Sequence, residues 1–345
     1  MTHRPNPSHL NVVLWGRVPV LAMPLLKKHL RTRCRFFPIA EPPKEGALPK
    51  ELASADVILS ASFTEPMARR AARLKLLHAP GAGVDGFCLP ALSPRTTVAN
   101  AYFHGPAIGE YVMMMVLALS RDLLKMDARF RRGSWQASWV WGNPPAAEIQ
   151  GKVLGLIGYG HIGKEVAARA RAFGMKLWII SAHPPKRKPP HVEFWETPAR
   201  LHALLKGADY VVLACPLNEQ TRGLIGRREF AAMKRTACLI NVARGPVVDE
   251  EALYRALRAH RIQGAAVDVW YRYPQDDRPS APSRFPFHKL DNIIITPHMS
   301  GWMKGTREKR FKFIAENIDR LAAGKTLRNV VEGPRRQKPM GSLSD

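Results

Sequence analysis

Cysteine is scarce in this sequence. Cys34, Cys88, Cys215 and Cys238 stand far apart, with no CxxC pair and no Cys/His cluster, so no metal site is written into the spacing and a reducing compartment is expected. Long apolar runs are missing too. The longest, residues 111–119, falls well short of the roughly 20 residues that a membrane-spanning helix needs. The N-terminus lacks the basic-then-apolar pattern of a signal peptide, and a cytoplasmic protein is the expectation. Acidic residues are few, with 28 Asp and Glu against 53 Lys and Arg, for a net charge of +25. Such a field attracts nucleic acid, anionic lipid or anionic small molecules. The basic residues are nevertheless spread along the chain, densest at Lys186-Arg187-Lys188, and no aromatic-interleaved recognition motif accompanies them. This points to a basic solvated surface and away from dedicated nucleic-acid or membrane binding.

What is present is the composition of a globular protein: 345 residues, 46% apolar and 23% charged, enough for two compact domains. Residues 1–10 and 332–345 carry no apolar period and read as loose tails. In the first hundred residues, strand-like runs at 11–15, 56–60 and 74–78 alternate with helical patterns such as 20–30, which implies a parallel sheet covered by helices. Pro106 opens a long helix through about residue 129. It is apolar nearly all round between residues 112 and 119, so it must be buried between domains or against a second subunit, and a homodimer is expected. Its methionines Met113, Met114 and Met115 read as packing. A second series follows from Lys152, with six strands at 153–157, 176–180, 210–214, 238–242, 264–269 and 292–296. Residues 274–286 form a Pro- and Ser-rich loop, and a helix over 306–323 returns to the first domain. The fold class is therefore α/β with two doubly wound parallel-sheet domains. Residues 1–100 plus 299–330 make the first, residues 101–298 the second, and 331–345 a tail.

Gly158-Tyr159-Gly160-His161-Ile162-Gly163 follows the apolar strand 153–157 and opens a helix over 162–173. In that context GxGxxG is a specific signal: the glycines allow a tight turn and close backbone approach, and a pyrophosphate sits on the helix N-terminus. NAD-binding proteins carry an Asp or Glu about twenty residues on, for the ribose 2′-hydroxyl. Here Ser181 stands in that place, and His183 and Lys186, with Arg187 and Lys188, supply positive charge that suits a 2′-phosphate. The expectation is NADP in preference to NAD.

From about residue 76 to 301 further motifs recur in order: Gly81-Ala82-Gly83-Val84-Asp85, Cys215-Pro216-Leu217-Asn218 with Thr221, Asn241-Val242-Ala243-Arg244-Gly245, Asp268-Val269-Trp270, and Thr296-Pro297-His298-Met299-Ser300-Gly301. Together with the glycine loop they resemble the D-isomer-specific 2-hydroxyacid dehydrogenases, which include glyoxylate and hydroxypyruvate reductases, phosphoglycerate dehydrogenase and formate dehydrogenase. The resemblance implies a flavodoxin-like substrate domain, a Rossmann cofactor domain, and hydride transfer to or from C2 of a small 2-keto or 2-hydroxy acid. Such a substrate presents a carboxylate beside a carbonyl, and an always-charged planar fork, Arg244, is suited to clamp both. Backbone N–H groups at Ala82 and Gly83 are candidates for the carboxylate. The developing alkoxide needs a proton, and His298, placed just after a strand end, is the candidate donor. By the same resemblance Asp268 faces the nicotinamide amide with Ser300 and Gly301 close by, and Cys215, Pro216, Thr221, Val242 and Ala243 flank the cofactor.

Two positions depart from the family. Keto-acid reductases carry a Glu five residues after the DVW aspartate, where it holds the histidine protonated, and this chain has Tyr273. Loss of that carboxylate predicts a reduction optimum shifted toward acid, unless Asp276 or Asp277 substitutes. His104 replaces the usual Asn six residues before Glu110. It either widens the substrate mouth toward a bigger or more anionic acid, arguing against formate, or only caps the Pro106 helix; both readings stand at this point. A formate-type dehydrogenase and a non-catalytic nicotinamide-sensing scaffold of the corepressor type are the alternatives.

Overall fold

The computed structural model describes residues 9–41, 48–136, 138–141, 146–274 and 278–333. The chain runs through β1 (Leu10–Trp15), α1 (Arg17–Leu21), α2 (Met23–His29), β2 (Cys34–Ile39), β3 (Val57–Ser60), α3 (Glu65–Arg70), β4 (Leu76–His78) and β5 (Thr97–Ala99). It continues with α4 (Gly105–Ser120), α5 (Leu123–Phe130), β6 (Val153–Ile157), α6 (His161–Ala172), β7 (Lys176–Ile180), β8 (Val192–Glu196), α7 (Leu201–Gly207) and β9 (Tyr210–Leu213). Then come α8 (Arg227–Ala232), β10 (Cys238–Asn241), α9 (Glu250–Arg258), β11 (Gly264–Val267), β12 (Ile293–Ile295), α10 (Lys304–Ala322) and β13 (Val330–Glu332). The contacts divide the chain into two compact units, one up to Phe103 and again from Lys304, the other His104–Met303.

The sheet of the first unit has the order β13-β5-β4-β3-β1-β2. Strands β1 to β5 are parallel and β13 closes one edge antiparallel to β5. Strands β3 and β4 are buried along their whole length and β1 at five of its six residues, which is why they read as unbroken apolar runs. One face packs Leu10, Val12, Leu14 and Leu59 against Leu26 of α2 and Phe311, Ile314 and Ile318 of α10. The other packs Val13, Ile58 and Leu77 against Met67 of α3 and Leu52.

The second unit carries a parallel sheet in the order β12-β11-β10-β9-β6-β7-β8. Its strand order reverses between β6 and β9, which makes a crevice at their carboxyl ends. Helices α4 and α6 cover one face, with Val112, Val116, Val166 and Ala170 against Leu154, Ile179 and Ile240. Helices α7 to α9 cover the other, with Leu204, Phe230 and Leu257 against Leu213, Leu239 and Val267.

Several local expectations need correction. The second sheet gains a seventh strand, β8, at its edge; its half-exposed pattern and the Pro- and Lys-rich approach concealed it. Strand β2 was hidden by Pro38, tolerated because β2 lies at an edge. The helix expected over 20–30 is two: Pro24, lacking an N–H, sits in the first turn of α2 and α1 ends before it. The long helix from Pro106 stops at Ser120, and Asp122 adopts a left-handed backbone (φ 48) before α5 starts. Among the described residues no helix is long and apolar enough to cross a membrane, and no group of three or more metal-ligating side chains gathers.

Candidate active site

The glycine loop sits at the end of β6, at the reversal of strand order. Gly158 has φ 101, and a Cβ there would lie 2.7 Å from the Ala214 carbonyl and the Cys215 nitrogen, so only glycine lets this turn press against the end of β9. A Cβ on Gly163 would run into the Gly158 carbonyl. Gly160, the residue preceding α6, faces open space, and no side chain caps the helix. The Ile162 and Gly163 amides of the first turn donate to no described residue and are left for an anion, and the cradle fits a dinucleotide pyrophosphate. Of the six loop residues, Gly163 is buried, Tyr159 and Ile162 are partly exposed, and His161 starts the helix at its exposed end.

Ser181 follows β7, and β8 anchors it. The Trp195 indole N–H donates to Ser181 Oγ at 2.8 Å, and the Ser181 N–H donates to the Glu196 carbonyl at 3.1 Å. The Tyr159 ring stands edge-on to Trp195 with centroids 4.4 Å apart, so glycine loop and Ser181 loop share one aromatic support. With its oxygen accepting from Trp195, the Ser181 hydroxyl keeps its hydrogen to donate. His183 and Lys186 are exposed, and Lys188 is tied to the Glu193 carbonyl.

The turn after β9 closes on itself. The Thr221 hydroxyl donates to the Pro216 carbonyl at 2.7 Å and accepts from the Asn218 N–H at 2.9 Å, so it scaffolds the turn. Pro216 is exposed. Burial pushes the Cys215 thiol up to about 11, which leaves it unionised near neutral pH.

Arg244, Asp268 and His298 leave the same end of the sheet. Asn241, Val267 and Ile295 are in register across β10, β11 and β12; Arg244 and His298 each follow their strand's registered residue by three positions, and Asp268 by one. Strands β10 and β12 are two neighbours apart, roughly 10 Å. Buried Asn241 fixes the arginine turn: its Nδ2 donates to the Arg244 carbonyl at 3.0 Å and its Oδ1 accepts from the Ala243 N–H at 3.1 Å. Val242 and Ala243 are buried beneath the half-exposed Arg244. A Cβ on Gly245 would collide with the Trp270 backbone, so the turns after β10 and β11 lie in contact.

His298 is exposed and has φ 57, a conformation that the surrounding bonds must impose. Its Nδ1 lies 2.8 Å from the Tyr273 hydroxyl, which also accepts from the Trp270 N–H at 3.3 Å. Asp268 is fully buried. Its Oδ1 accepts from the Met299 N–H (2.8 Å) and the Thr296 hydroxyl (2.6 Å), and its Oδ2 from the Ser300 N–H (2.9 Å). Asp268 thereby anchors the histidine loop. Tyr111 of α4 extends the network, with its hydroxyl 2.6 Å from Thr296 Oγ1, and burial pushes the phenol up to about 12, so it stays protonated as a donor. The Trp270 indole N–H donates to the Thr296 carbonyl at 2.8 Å. Asn241, Tyr111 and Thr296 escaped the sequence reading as site residues; Asn241, which opens the NVARG motif, and Thr296, which opens TPHMSG, carried a signal, and Tyr111 carried none. Asp276 and Asp277 lie outside the described residues.

His104 is buried at the N-cap of α4 without a side-chain capping bond, so helix capping does not account for its imidazole. A Cβ on Gly301 would lie 3.1 Å from the His104 Cβ, which places His104 against the PHMSG segment. In the other unit, Ala82 and Gly83 follow β4. The Ala82 carbonyl accepts from Asn100 Nδ2 at 2.8 Å, and neither Ala82 nor Gly83 donates its N–H to another described residue.

A reversed parallel sheet with a glycine cradle at its switch point, and with arginine and histidine turns at the same sheet end, defines a dinucleotide-binding α/β protein of the dehydrogenase type. The family model for the D-isomer specific 2-hydroxyacid dehydrogenase NAD binding domain matches residues 113–300, and the chain belongs to that family of NAD(P)-dependent enzymes. It is 34% identical over 306 residues to D-3-phosphoglycerate dehydrogenase of Methanocaldococcus jannaschii, covering 87% of this chain but 56% of that one. It is 31% identical over 323 residues to glyoxylate reductase of Thermococcus gammatolerans, covering 89% and 91%. Among solved structures, an acyclic imino acid reductase in complex with NADPH and D-Arg matches with a TM-score of 0.77 and 27% identity, over 94% of this chain and 100% of that one.

Proposed function

We propose that the chain transfers a hydride between NADPH and C2 of a small 2-keto or 2-hydroxy acid, in the manner of a glyoxylate or hydroxypyruvate reductase. The observation that carries this reading is the bond between the Tyr273 hydroxyl and His298 Nδ1 at 2.8 Å, beyond the same sheet end as Arg244. The nicotinamide supplies the hydride; the rest falls to the protein. Arg244 clamps the substrate carboxylate and polarises the C2 carbonyl. The family resemblance alone assigns the Ala82 and Gly83 amides to substrate binding. In the imidazolium form His298 donates through Nδ1 to the Tyr273 oxygen, which turns Nε2 with its proton to the substrate. As C2 gains the hydride, that proton passes to the carbonyl oxygen, leaving a hydroxyl and a neutral imidazole. Asp268 keeps the loop in place through its bonds to Met299, Ser300 and Thr296. His104, beside Gly301, shapes the substrate mouth.

The glycine cradle holds the pyrophosphate, with the Cys215–Thr221 turn and the Val242–Ala243 backbone beside it. Ser181, His183 and Lys186 take the 2′-phosphate, so NADPH is preferred to NADH. In this reading residues 1–100 and 299–330 bind substrate and 101–298 bind cofactor. A homodimer forms over the α4–α6 groove of about 590 Å³ that Met113, Met114, Leu117 and Phe173 line, and the protein works in the cytoplasm. The test is oxidation of NADPH and of NADH with glyoxylate, hydroxypyruvate, pyruvate and bulkier 2-keto acids. Turnover with NADPH supports the proposal. Tight NADPH binding without turnover on any of them returns the chain to a sensing role.

A further inference from the structure

The first unit contains a second concave surface where α2, the turn into β2 and the last turns of α10 meet, with a volume of about 1070 Å³. Its lining is strongly cationic. Arg31, Arg33, Lys312 and Lys325 all reach it, and none makes a side-chain hydrogen bond or ion pair with a described residue. The acids that line it are already engaged: Asp319 accepts from the Arg31 N–H (3.1 Å) and the Thr32 N–H (2.8 Å), and Glu316 is held by Arg328. Four cations without a paired acid in one concavity repel one another. Elsewhere many of the chain's cations have acidic partners, as in Lys75–Asp56, Arg169–Glu165 and Lys234–Asp209.

We infer that this cleft binds a compact oligophosphate anion, such as an inorganic triphosphate or the triphosphate moiety of a nucleotide. Lysine and arginine side chains from α10, from the segment that follows it and from the turn into β2 suit several phosphate groups at once. No exposed aromatic ring lines the cleft for base stacking; the nearby ring, Phe313, is buried with the Arg328 guanidinium 4.8 Å from its centroid. The site therefore favours the phosphate chain over a nucleobase, and its concave, bounded shape favours a small anion over a long strand.

The test is calorimetric titration of the full chain with inorganic triphosphate, with NADPH saturating so that the glycine cradle is filled. The double variant R33A/K325A removes two unpaired cleft cations. R227A/R228A removes two exposed cations of α8 and controls for net charge, and circular dichroism checks that both fold. The inference predicts one triphosphate per chain, weakened by about tenfold or more in R33A/K325A and within about twofold of wild type in R227A/R228A. Failure of the wild-type chain to bind, or equal weakening in both double variants, overturns it. Tighter binding of a single-stranded RNA oligomer than of triphosphate, lost in the same cleft variant, also overturns it in favour of a nucleic-acid surface.

Discussion

At the scale of single residues the proposed chemistry turns on a phenol where the family resemblance implies a carboxylate. A phenol satisfies His298 Nδ1 at 2.8 Å but adds no negative charge to hold the imidazolium. Tyr273→Glu supplies that charge, raises the pH at which His298 loses its proton, and moves the falling limb of kcat for reduction toward alkaline pH. An unmoved profile in the variant contradicts the assignment. His298→Asn keeps a polar side chain without an acid, and its kcat falls by about 10²- to 10⁴-fold with NADPH affinity unchanged. Arg244→Lys loses the planar fork and lowers kcat/KM by about 10²-fold or more, read with the best keto acid.

At the scale of elements the site depends on turns that other turns hold. Tyr111 on α4 reaches Thr296 after β12, Thr296 reaches Asp268 after β11, and Asp268 holds the backbone around His298. Thr296→Val cuts this chain in the middle. It lowers kcat by more than it raises KM for NADPH, and Thr296→Ser restores most of the loss; steady-state kinetics on the three proteins decides. Much of this level was legible in the sequence. The GxGxxG turn announced itself because an apolar strand led in and a helix led out, and the NVARG and TPHMSG turns because they close the buried strand β10 and follow the apolar, half-exposed strand β12. What escaped reading has physical causes. Strand β8 is half exposed, so it lacks the apolar run of a buried strand, yet its Trp195 anchors Ser181. Asp122 ends α4 through a left-handed backbone that no motif marks. The Tyr111–Thr296 bond joins residues 185 positions apart, beyond the reach of local pattern. Asp268 was expected at the nicotinamide amide, and its full burial with three donors adds a structural duty that resemblance alone did not suggest.

At the scale of the whole molecule, stability is tied to pH at His78, buried at the end of β4. Its Nδ1 bonds the Ala79 carbonyl at 2.8 Å and its Nε2 lies 3.2 Å from Asn317 Nδ2 of α10, an arrangement that suits the neutral ring. Burial pushes it down to about 4 from an ordinary 6.5. The unfolded chain therefore binds the proton more readily, so the contribution of His78 is whole above pH 6.5 and is lost as the pH falls to about 4. It amounts to roughly 3 kcal/mol. Urea unfolding across that range, in wild type and His78→Gln, checks it: the variant shows the shallower decline toward acid. The +25 charge acts at this scale as well, drawing anionic keto acids and NADPH toward the chain, so kcat/KM falls as salt rises. The most direct test of the central claim is single-turnover oxidation of bound NADPH on addition of hydroxypyruvate, in wild type and His298→Asn. The account predicts rapid loss of reduced-nicotinamide absorbance and formation of glycerate in the wild type, and a rate at least about 10²-fold slower in the variant at equal cofactor occupancy. Equal rates in the two proteins would contradict it.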